Sequence, residues 1–328
     1  MARSRFLPDN FTLALVATVA LASLLPASGG VARFFEGLTV AAVGLLFFLH
    51  GAKLSREAIV AGLSHWRLHI VVVASTFVLF PLLGWALRPV LEPLVTPGIY
   101  TGVLFLCVLP ATVQSAIAFT AMARGNMPAA ICSASASTLM GIVITPVLAG
   151  LLLSTDAAGA SGAAGAPHGL LDSILRITLQ LFVPFIAGHL LRPVIGGFIQ
   201  RRASVLKLVD QGSILLVVYT AFSAAVIEGL WKQMPLPALA GLVVVCAVLL
   251  ALALCSTTWV SRRLGFSKED EITIVFCGSK KSLASGVPMA KVLFASQAVG
   301  AMVLPLMVFH QMQLMVCAVL AQRYARRD

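Results

Sequence analysis

The sequence predicts an all-α membrane protein with ten transmembrane helices, and three features of its 328 residues support this fold class. The first is composition: 59% of the residues are hydrophobic, only 11% are charged, and the mean hydropathy is +1.00. A soluble domain carries roughly a quarter of its residues as charges. So little polar surface excludes a soluble enzyme and a nucleic-acid-binding protein, despite the net charge of +11.

The second feature is a series of ten apolar runs, because a helix needs about 20 apolar residues to cross a bilayer. Arg3 and Arg5 before the first run give it the look of a signal peptide, but further runs follow at once and we interpret it as a retained helix. The runs lie near 11–27, 34–54, 68–88, 98–123, 128–153, 170–192, 206–228, 236–260, 271–294 and 298–321.

The third feature is the distribution of basic residues. Ten spans place both termini on one side of the membrane, and that side collects sixteen of the 23 Lys and Arg residues, against five on the other. Lys280 and Lys281 lie inside the ninth run and belong to neither side. Because cytoplasmic loops are rich in Lys and Arg, we expect both termini in the cytoplasm and the protein in the cell (inner) membrane.

The chain divides near its middle into two halves of five runs each. Residues 154–169 are rich in Ala, Gly and Ser and are predicted to form a flexible linker outside the cell. The first repeat is then 1–153 and the second is 170–328. Since five is odd, the two halves cross the membrane in opposite directions. This is an inverted-topology repeat, a common architecture of transporters.

Two runs carry polar residues at membrane depth. Pro110 in the fourth run removes a backbone donor and predicts an interruption, although a simple kink is equally consistent. Each of the two lysines in the ninth run would cost about 2.5–3.5 kcal/mol at a helix centre. Interrupted helices at corresponding positions of two halves indicate a transporter's binding site. The polar residues at these interruptions are Thr112, Gln114, Ser115, Ser279, Lys280, Lys281 and Ser282.

Other polar residues have two readings each. Ser133, Ser137 and Thr138 in the fifth run would either contact a ligand or pack helices closely. His50 and His310 are candidates for a proton relay, or else packing residues. Asp210 lies near the start of the seventh run, where contact with interfacial water would explain it.

The chain lacks the motifs of several kinds of chemistry. It contains no HExxH and no GxSxG, so neither metalloprotease nor serine hydrolase chemistry is predicted, and we expect a protein that is not an enzyme. Its six cysteines show neither CxxC pairing nor His–Cys spacing. We therefore expect no disulfide framework, no metal site and no cofactor.

The interrupted runs resemble the bile acid:sodium symporter superfamily, nearest its bacterial SBF-like branch, which also contains solute carrier family 10 member 7. The resemblance covers the whole chain. Its motifs are Ala-Arg-Gly-Asn at 123–126 leading to Gly-Ile-Val-Ile-Thr-Pro at 141–146, and Lys-Ser-Leu at 281–283 with Gly-Val-Pro at 286–288. It implies a panel of spans one, two, six and seven, and a core in which broken spans four and nine cross. Substrate would sit between panel and core during alternating access.

The resemblance also implies where sodium sites would lie. Family sites use polar residues after the break in span four, which Gln114 and Ser115 match. They also use Ser or Thr in span five, which Ser133, Ser137 and Thr138 match.

Span nine departs from that pattern. Phe276 stands where the family has a Glu, and Lys280 or Lys281 falls near a Gln and its neighbour. A lysine ammonium would repel sodium there. We hypothesise that a lysine replaces sodium as a tethered cation, with its deprotonation coupling transport to protons. A simpler version has the lysine attract an anionic substrate, helped by the positive N-terminus of the half-helix.

The predicted function is secondary active transport of an organic anion, either bile-acid-like or sterol-conjugate-like or a small carboxylate. Its partners would be that anion and the lipid bilayer, with no nucleic acid. The lysines argue against Na⁺ as the coupling ion and leave H⁺ as the alternative. Two other functions stay open. An arsenite-efflux-type relative would use a membrane cysteine, for which Cys107 and Cys277 are candidates, together with a carboxylate inside span nine, which this chain lacks. The resemblance to member 7 also allows a non-transporting membrane regulator of calcium entry.

Overall fold

The computed structural model describes residues 10–53, 65–157, 167–227, 229, 235–294 and 299–326. Helix accounts for 89% of these residues and no strand occurs among them. The predicted linker lies mostly outside the described residues. The twelve longer helices of the described fold, numbered in chain order, are α1 (Asn10–Leu24), α2 (Gly29–Lys53), α3 (Trp66–Ala86), α4 (Pro97–Val108), α5 (Gln114–Met122), α6 (Met127–Ala157), α7 (Pro167–Arg201), α8 (Ala203–Ile227), α9 (Leu236–Arg263), α10 (Lys268–Gly278), α11 (Leu283–Leu293) and α12 (Val299–Ala325). Two short helices, Arg88–Leu91 and Glu92–Leu94, lie between α3 and α4.

Seven of the described helices are long and apolar enough to cross a membrane, namely α2, α3, α6, α7, α8, α9 and α12. The protein is therefore a multi-span membrane protein. The other predicted runs fall short of this length. Helix α1 has 15 residues, while the fourth and ninth runs are each divided into two helices of nine to twelve residues. At 1.5 Å per residue such half-helices span about 14–18 Å, roughly half of the hydrocarbon core.

Helices α1, α2, α7 and α8 pack against one another: α2 lies along α7 and α8, and α1 along α8. The crossing of α2 and α7 is close because both helices place a glycine there. A Cβ on Gly51 would lie 1.9 Å from the carbonyl oxygen of Phe185, and a Cβ on Gly188 would lie 1.9 Å from that of Phe48. No other residue type fits at either position without separating the helices.

The remaining helices form a second group. Helix α12 packs on α4 and α9, α10 packs on α9, α5, α3 and α6, and α4 packs on α3 and α6. Apolar side chains fill the interior, where the Phe80 and Phe309 rings meet edge to face at 6.0 Å. The two groups touch where α8 meets α11 and α12, and where α7 meets α6. A cavity lies between the groups, beside the broken helices.

Candidate functional site

The break in the fourth run lies between α4 and α5, at the predicted Pro110. Helix α4 ends at Val108 and Leu109 adopts an extended conformation, so the last carbonyls of α4 lose their helical partners. Three residues of α6, spaced by one turn, hold this break. The Ala111 N–H donates to Ser137 Oγ at 2.9 Å, and Thr145 Oγ1 donates to the Val108 carbonyl at 2.8 Å. Between them Gly141 admits the proline ring, since a Cβ there would lie 2.6 Å from Pro110 Cβ.

The break in the ninth run lies between α10 and α11, as the sequence predicts. Helix α10 ends at Gly278, and its Ser279 hydroxyl donates back to the Val275 carbonyl at 2.6 Å. Ser282 caps α11, because its Oγ accepts from the Ser285 N–H at 3.1 Å. The Ser282 N–H donates to the Pro110 carbonyl at 2.9 Å. The two breaks are therefore in direct backbone contact.

Lys281 is fully buried at this crossing. Its Nζ donates to the carbonyl oxygens of Thr76, Cys107 and Leu109, each at 2.8 Å. An ammonium has three N–H donors, so these bonds satisfy it completely. The Phe80 ring lies 4.2 Å from Nζ and adds a cation–π contact. A charge removed from water is tolerated only with such partners.

The local sequence explains why these three carbonyls have no helical partner and can accept from Lys281. Those of Cys107 and Leu109 belong to the C-terminal end of α4, where the helix dipole is negative. Thr76 lies in a π-helical stretch of α3, Ser75–Leu79, in which a carbonyl pairs with the fifth N–H along the chain. The fifth residue after Thr76 is Pro81, which has no N–H. The Thr76 oxygen is left to accept from Lys281.

Gln313 of α12 holds the Lys281 backbone from the other side. Its Oε1 accepts from the Lys281 N–H and its Nε2 donates to the Lys281 carbonyl, both at 2.9 Å. The predicted relay candidate His310 bonds the same amide, with Nδ1 2.9 Å from Gln313 Nε2. Sequence reasoning missed Gln313. Its signal was a polar residue in the middle of the tenth apolar run.

Lys280 is also fully buried but faces α5. Its Nζ donates to the Ser115 carbonyl at 3.0 Å and lies 3.9 Å from the Phe119 ring centre and 5.2 Å from that of Phe276. Phe276 thus offers an aromatic face to a cation. The Thr112 and Ser115 hydroxyls bond each other at 2.7 Å beside this contact. Ser133 lies apart, bonded to His69 of α3 at 2.7 Å.

The cavity between the two helix groups has a volume of about 230 Å³. Three predicted residues line it: Gln114 of α5, Thr138 of α6 and His50 of α2. Neither Lys280 nor Lys281 is among its lining residues, so the arrangement does not favour direct contact between a lysine of the break and a ligand there. The full lining is His50, Lys53, Phe185 and Asp210 on one wall, and Val113, Gln114, Ile117, Ile131, Ser135 and Thr138 on the other.

An ion pair that sequence reasoning missed lies in the first wall. Lys53 Nζ, at the end of α2, pairs with Asp210 Oδ2 of α8. The expectation that interfacial water explains Asp210 is wrong, because the residue is 7% exposed. Helix packing covers it, and that packing is not visible in the run itself. The only available signal was an acidic residue within an apolar run.

The two cysteines considered for arsenite chemistry pack inside the protein. Cys277 Sγ lies 3.9 Å from the Ala130 carbonyl as a weak donor, and Cys107 Sγ packs against Gly84. Neither residue lines the cavity. In the part of the chain that the structure describes, no cluster of three His, Cys, Asp or Glu residues could hold a metal ion.

Comparisons with known proteins give relatives over nearly the whole length. A sequence model of the SBF-like CPA transporter family matches residues 9–326. The chain is 68% identical over 327 residues to the uncharacterized protein PA2026 of Pseudomonas aeruginosa, covering 100% of this chain and 96% of that protein. It is 57% identical over 320 residues to the putative symporter YfeH of Escherichia coli, covering 97% and 93%. It is 28% identical over 327 residues to sodium/bile acid cotransporter 7 of Xenopus tropicalis, covering 96% and 91%.

Proposed function

The chain belongs to the SBF-like CPA transporter family, within the bile acid:sodium symporter superfamily, and we propose that it carries an organic anion with Lys281 in place of a coupling sodium ion. Its relatives are transporters and symporters, so its class of function is transport of a small molecule and not catalysis.

The proposed architecture has ten spans. Helix α1 forms span one, α4 with α5 forms span four, and α10 with α11 forms span nine, while the seven long helices supply the rest. Panel and core then correspond to the two packing groups, α1, α2, α7 and α8 against the others. The two halves, 1–153 and 170–328, are inverted repeats joined by the outside linker. The distribution of Lys and Arg supports cytoplasmic termini and an inner-membrane location.

One observation carries the assignment of Lys281. Three carbonyl oxygens converge at 2.8 Å on one point of the crossing, and the ammonium of Lys281 occupies that point. Rings of backbone carbonyls bind monovalent cations in channels by replacing water around the ion. Here the cation is covalently attached to the chain. The crossing therefore keeps its positive charge without drawing an ion from solution, and H⁺ is the alternative coupling ion.

The substrate would bind in the cavity between the two helix groups. Its α5 wall begins directly after the break, at Val113 and Gln114. A movement of one helix group against the other would open the cavity to alternate sides of the membrane. Gln114 and Ser135 would offer hydrogen bonds to an anion, and Lys53 would offer charge.

Exchange in proteoliposomes tests this proposal. Purified protein should exchange labelled organic anions across the bilayer equally well in sodium and in potassium. Lys281→Ala should abolish exchange, while Lys291→Ala, on the same half of the chain, should retain it. A non-transporting regulator would give no exchange with the wild-type chain. A requirement for sodium would instead overturn the role given to Lys281.

A further inference from the structure

The cavity carries its charged and titratable groups on one wall only. Among its lining residues, Lys53 and His50 come from α2 and Asp210 comes from α8, while the residues from α5, α6 and α7 are uncharged. His50 is bound to its own helix, with Nδ1 donating to the Leu46 carbonyl at 2.9 Å. The Lys53–Asp210 pair is thus the charged element that faces the opposite wall.

Asp210 is an unusual partner for Lys53, because only one of its two carboxylate oxygens accepts a hydrogen bond from the described residues. Its Oδ2 accepts from Lys53, whereas its buried Oδ1 has no hydrogen-bond partner among the described residues. An unsatisfied buried acceptor costs free energy. Lys53 is less enclosed, with a side chain 33% exposed, and a single bond to Asp210 leaves two of its N–H donors for a ligand.

The size of the cavity limits what can bind. Pockets for drug-sized ligands are roughly 300–1,000 Å³. At about 230 Å³ this cavity is smaller than that range. A cavity of this volume accommodates an organic acid of a few carbons.

We infer that the substrate is a small organic acid whose carboxylate binds the Lys53 ammonium. When no substrate is present, Asp210 pairs with that ammonium instead. This inference rests on the proposed function and names the substrate class of its site. One ammonium in a partly dehydrated cavity does not neutralise two carboxylates at once, since like charges at close range repel. Substrate and Asp210 therefore compete for Lys53. Gln114 and Ser135 on the facing wall donate to the remaining oxygens of the acid, whereas the Thr138 hydroxyl already donates to the Ala134 carbonyl at 3.1 Å.

If substrate and Asp210 compete for Lys53, substitutions of Asp210 and of Lys53 should have opposite effects on substrate affinity. Binding is measured as the rise in melting temperature of the purified protein with the monocarboxylates potassium lactate or potassium propionate, with potassium phosphate and taurocholate as further probes. Asp210→Asn should lower the apparent Kd for the small carboxylates about fivefold, the factor expected for removing a modest ion pair. Lys53→Met should abolish binding.

Two controls separate binding from folding. Glu36→Gln makes the same acid-to-amide change in another lysine pair, Lys291–Glu36 at 3.1 Å, which does not line the cavity, and it should bind like the wild type. The double variant Lys53→Met, Asp210→Asn should melt near the wild-type temperature yet bind no carboxylate. That result assigns the lost affinity to the missing ammonium.

Several results would overturn the inference. If Asp210→Asn weakens binding as much as Lys53→Met does, the pair is a structural unit and no competition exists. If only phosphate stabilises the protein, the site takes an inorganic oxyanion. If proteoliposomes exchange taurocholate but no small acid, the size class is wrong while the proposed transport stands. Exchange of no anion at all would remove the proposed function itself.

Discussion

The backbone N–H of Ser282 donates to the backbone carbonyl of Pro110 over 2.9 Å, although the two residues belong to different halves of the chain. Both groups lie in helix breaks, where the helix itself supplies no partner. The bond therefore pairs an N–H that has no helical partner in one break with a carbonyl that has none in the other. It fixes the spacing between α4 and α11 and positions Lys281, the residue before Ser282, against the end of α4.

Lys281→Ala should abolish transport and lower the melting temperature without preventing folding. The change leaves the carbonyls of Thr76, Cys107 and Leu109 without their donor, and each orphaned buried group costs about 1–3 kcal/mol. Exchange assays and thermal unfolding of the detergent-solubilised protein measure both effects. Lys291→Ala, which loses only an exposed partner, should change stability by no more than about 0.5 kcal/mol. Wild-type exchange by the Lys281 variant would contradict the assignment.

Removing the Lys281 side chain should also make the stability of the protein depend on small cations. The three vacated carbonyls then resemble an ion site, so sodium or potassium should stabilise Lys281→Ala relative to choline at equal ionic strength. An ion at 100 times its Kd stabilises by about 2.7 kcal/mol. The wild-type protein should show no such shift. A sodium-specific shift of the wild type that disappears in Ser115→Ala would instead restore ordinary sodium coupling.

Gln313→Leu should destabilise the protein by about 2–4 kcal/mol, because the Lys281 N–H and carbonyl both lose a buried partner. We expect transport to fall as well, since the break is no longer held in register with α4. Denaturation in mixed detergent and exchange assays measure these changes. The same substitution at Gln322, nine residues further along α12, is the control. Equal losses at both sites would mean that the effect comes from helix α12 in general.

Gly51→Ala should separate α2 from α7 and reduce the melting temperature sharply, because a methyl group would overlap the Phe185 carbonyl. Gly44→Ala on the same helix is the matched control. A Cβ there meets nothing within 4 Å, and alanine favours helix over glycine by about 0.5–1 kcal/mol. That variant should be as stable as the wild type or slightly more so. If the two substitutions behave alike, α2 and α7 are not in close contact.

The interruptions of the fourth and ninth runs were predictable because their signals are local. Proline, glycine and paired lysines within apolar runs oppose a continuous helix wherever the chain goes next. The partners of Lys281 were not predictable in this way. They depend on the absent N–H of Pro81 and on packing that brings residues 172 and 205 positions away to one point.

Residue type alone was also not enough to predict where some residues of the site lie. Asp210 near the start of an apolar run is consistent with an interface, yet α2 and α8 bury it beside Lys53, 157 positions away. Gln313 is 32 positions from the backbone it supports. Ser133 and Ser137 share the spacing of one helix turn but serve different neighbours, His69 of α3 and the Ala111 N–H. Contacts of this range follow from how helices pack, which a single sequence does not encode in any local pattern.

A cation that never leaves the protein has a consequence for the direction of transport. An anion accompanied by sodium crosses with its charge compensated, whereas an anion that crosses past the fixed Lys281 ammonium transfers net negative charge. A membrane potential that is negative inside then drives it outward, with about 2.3 kcal/mol per charge for every 100 mV. Without accompanying protons, this carrier would work downhill as an electrogenic exporter, and accumulation inside the cell would require a second driving force.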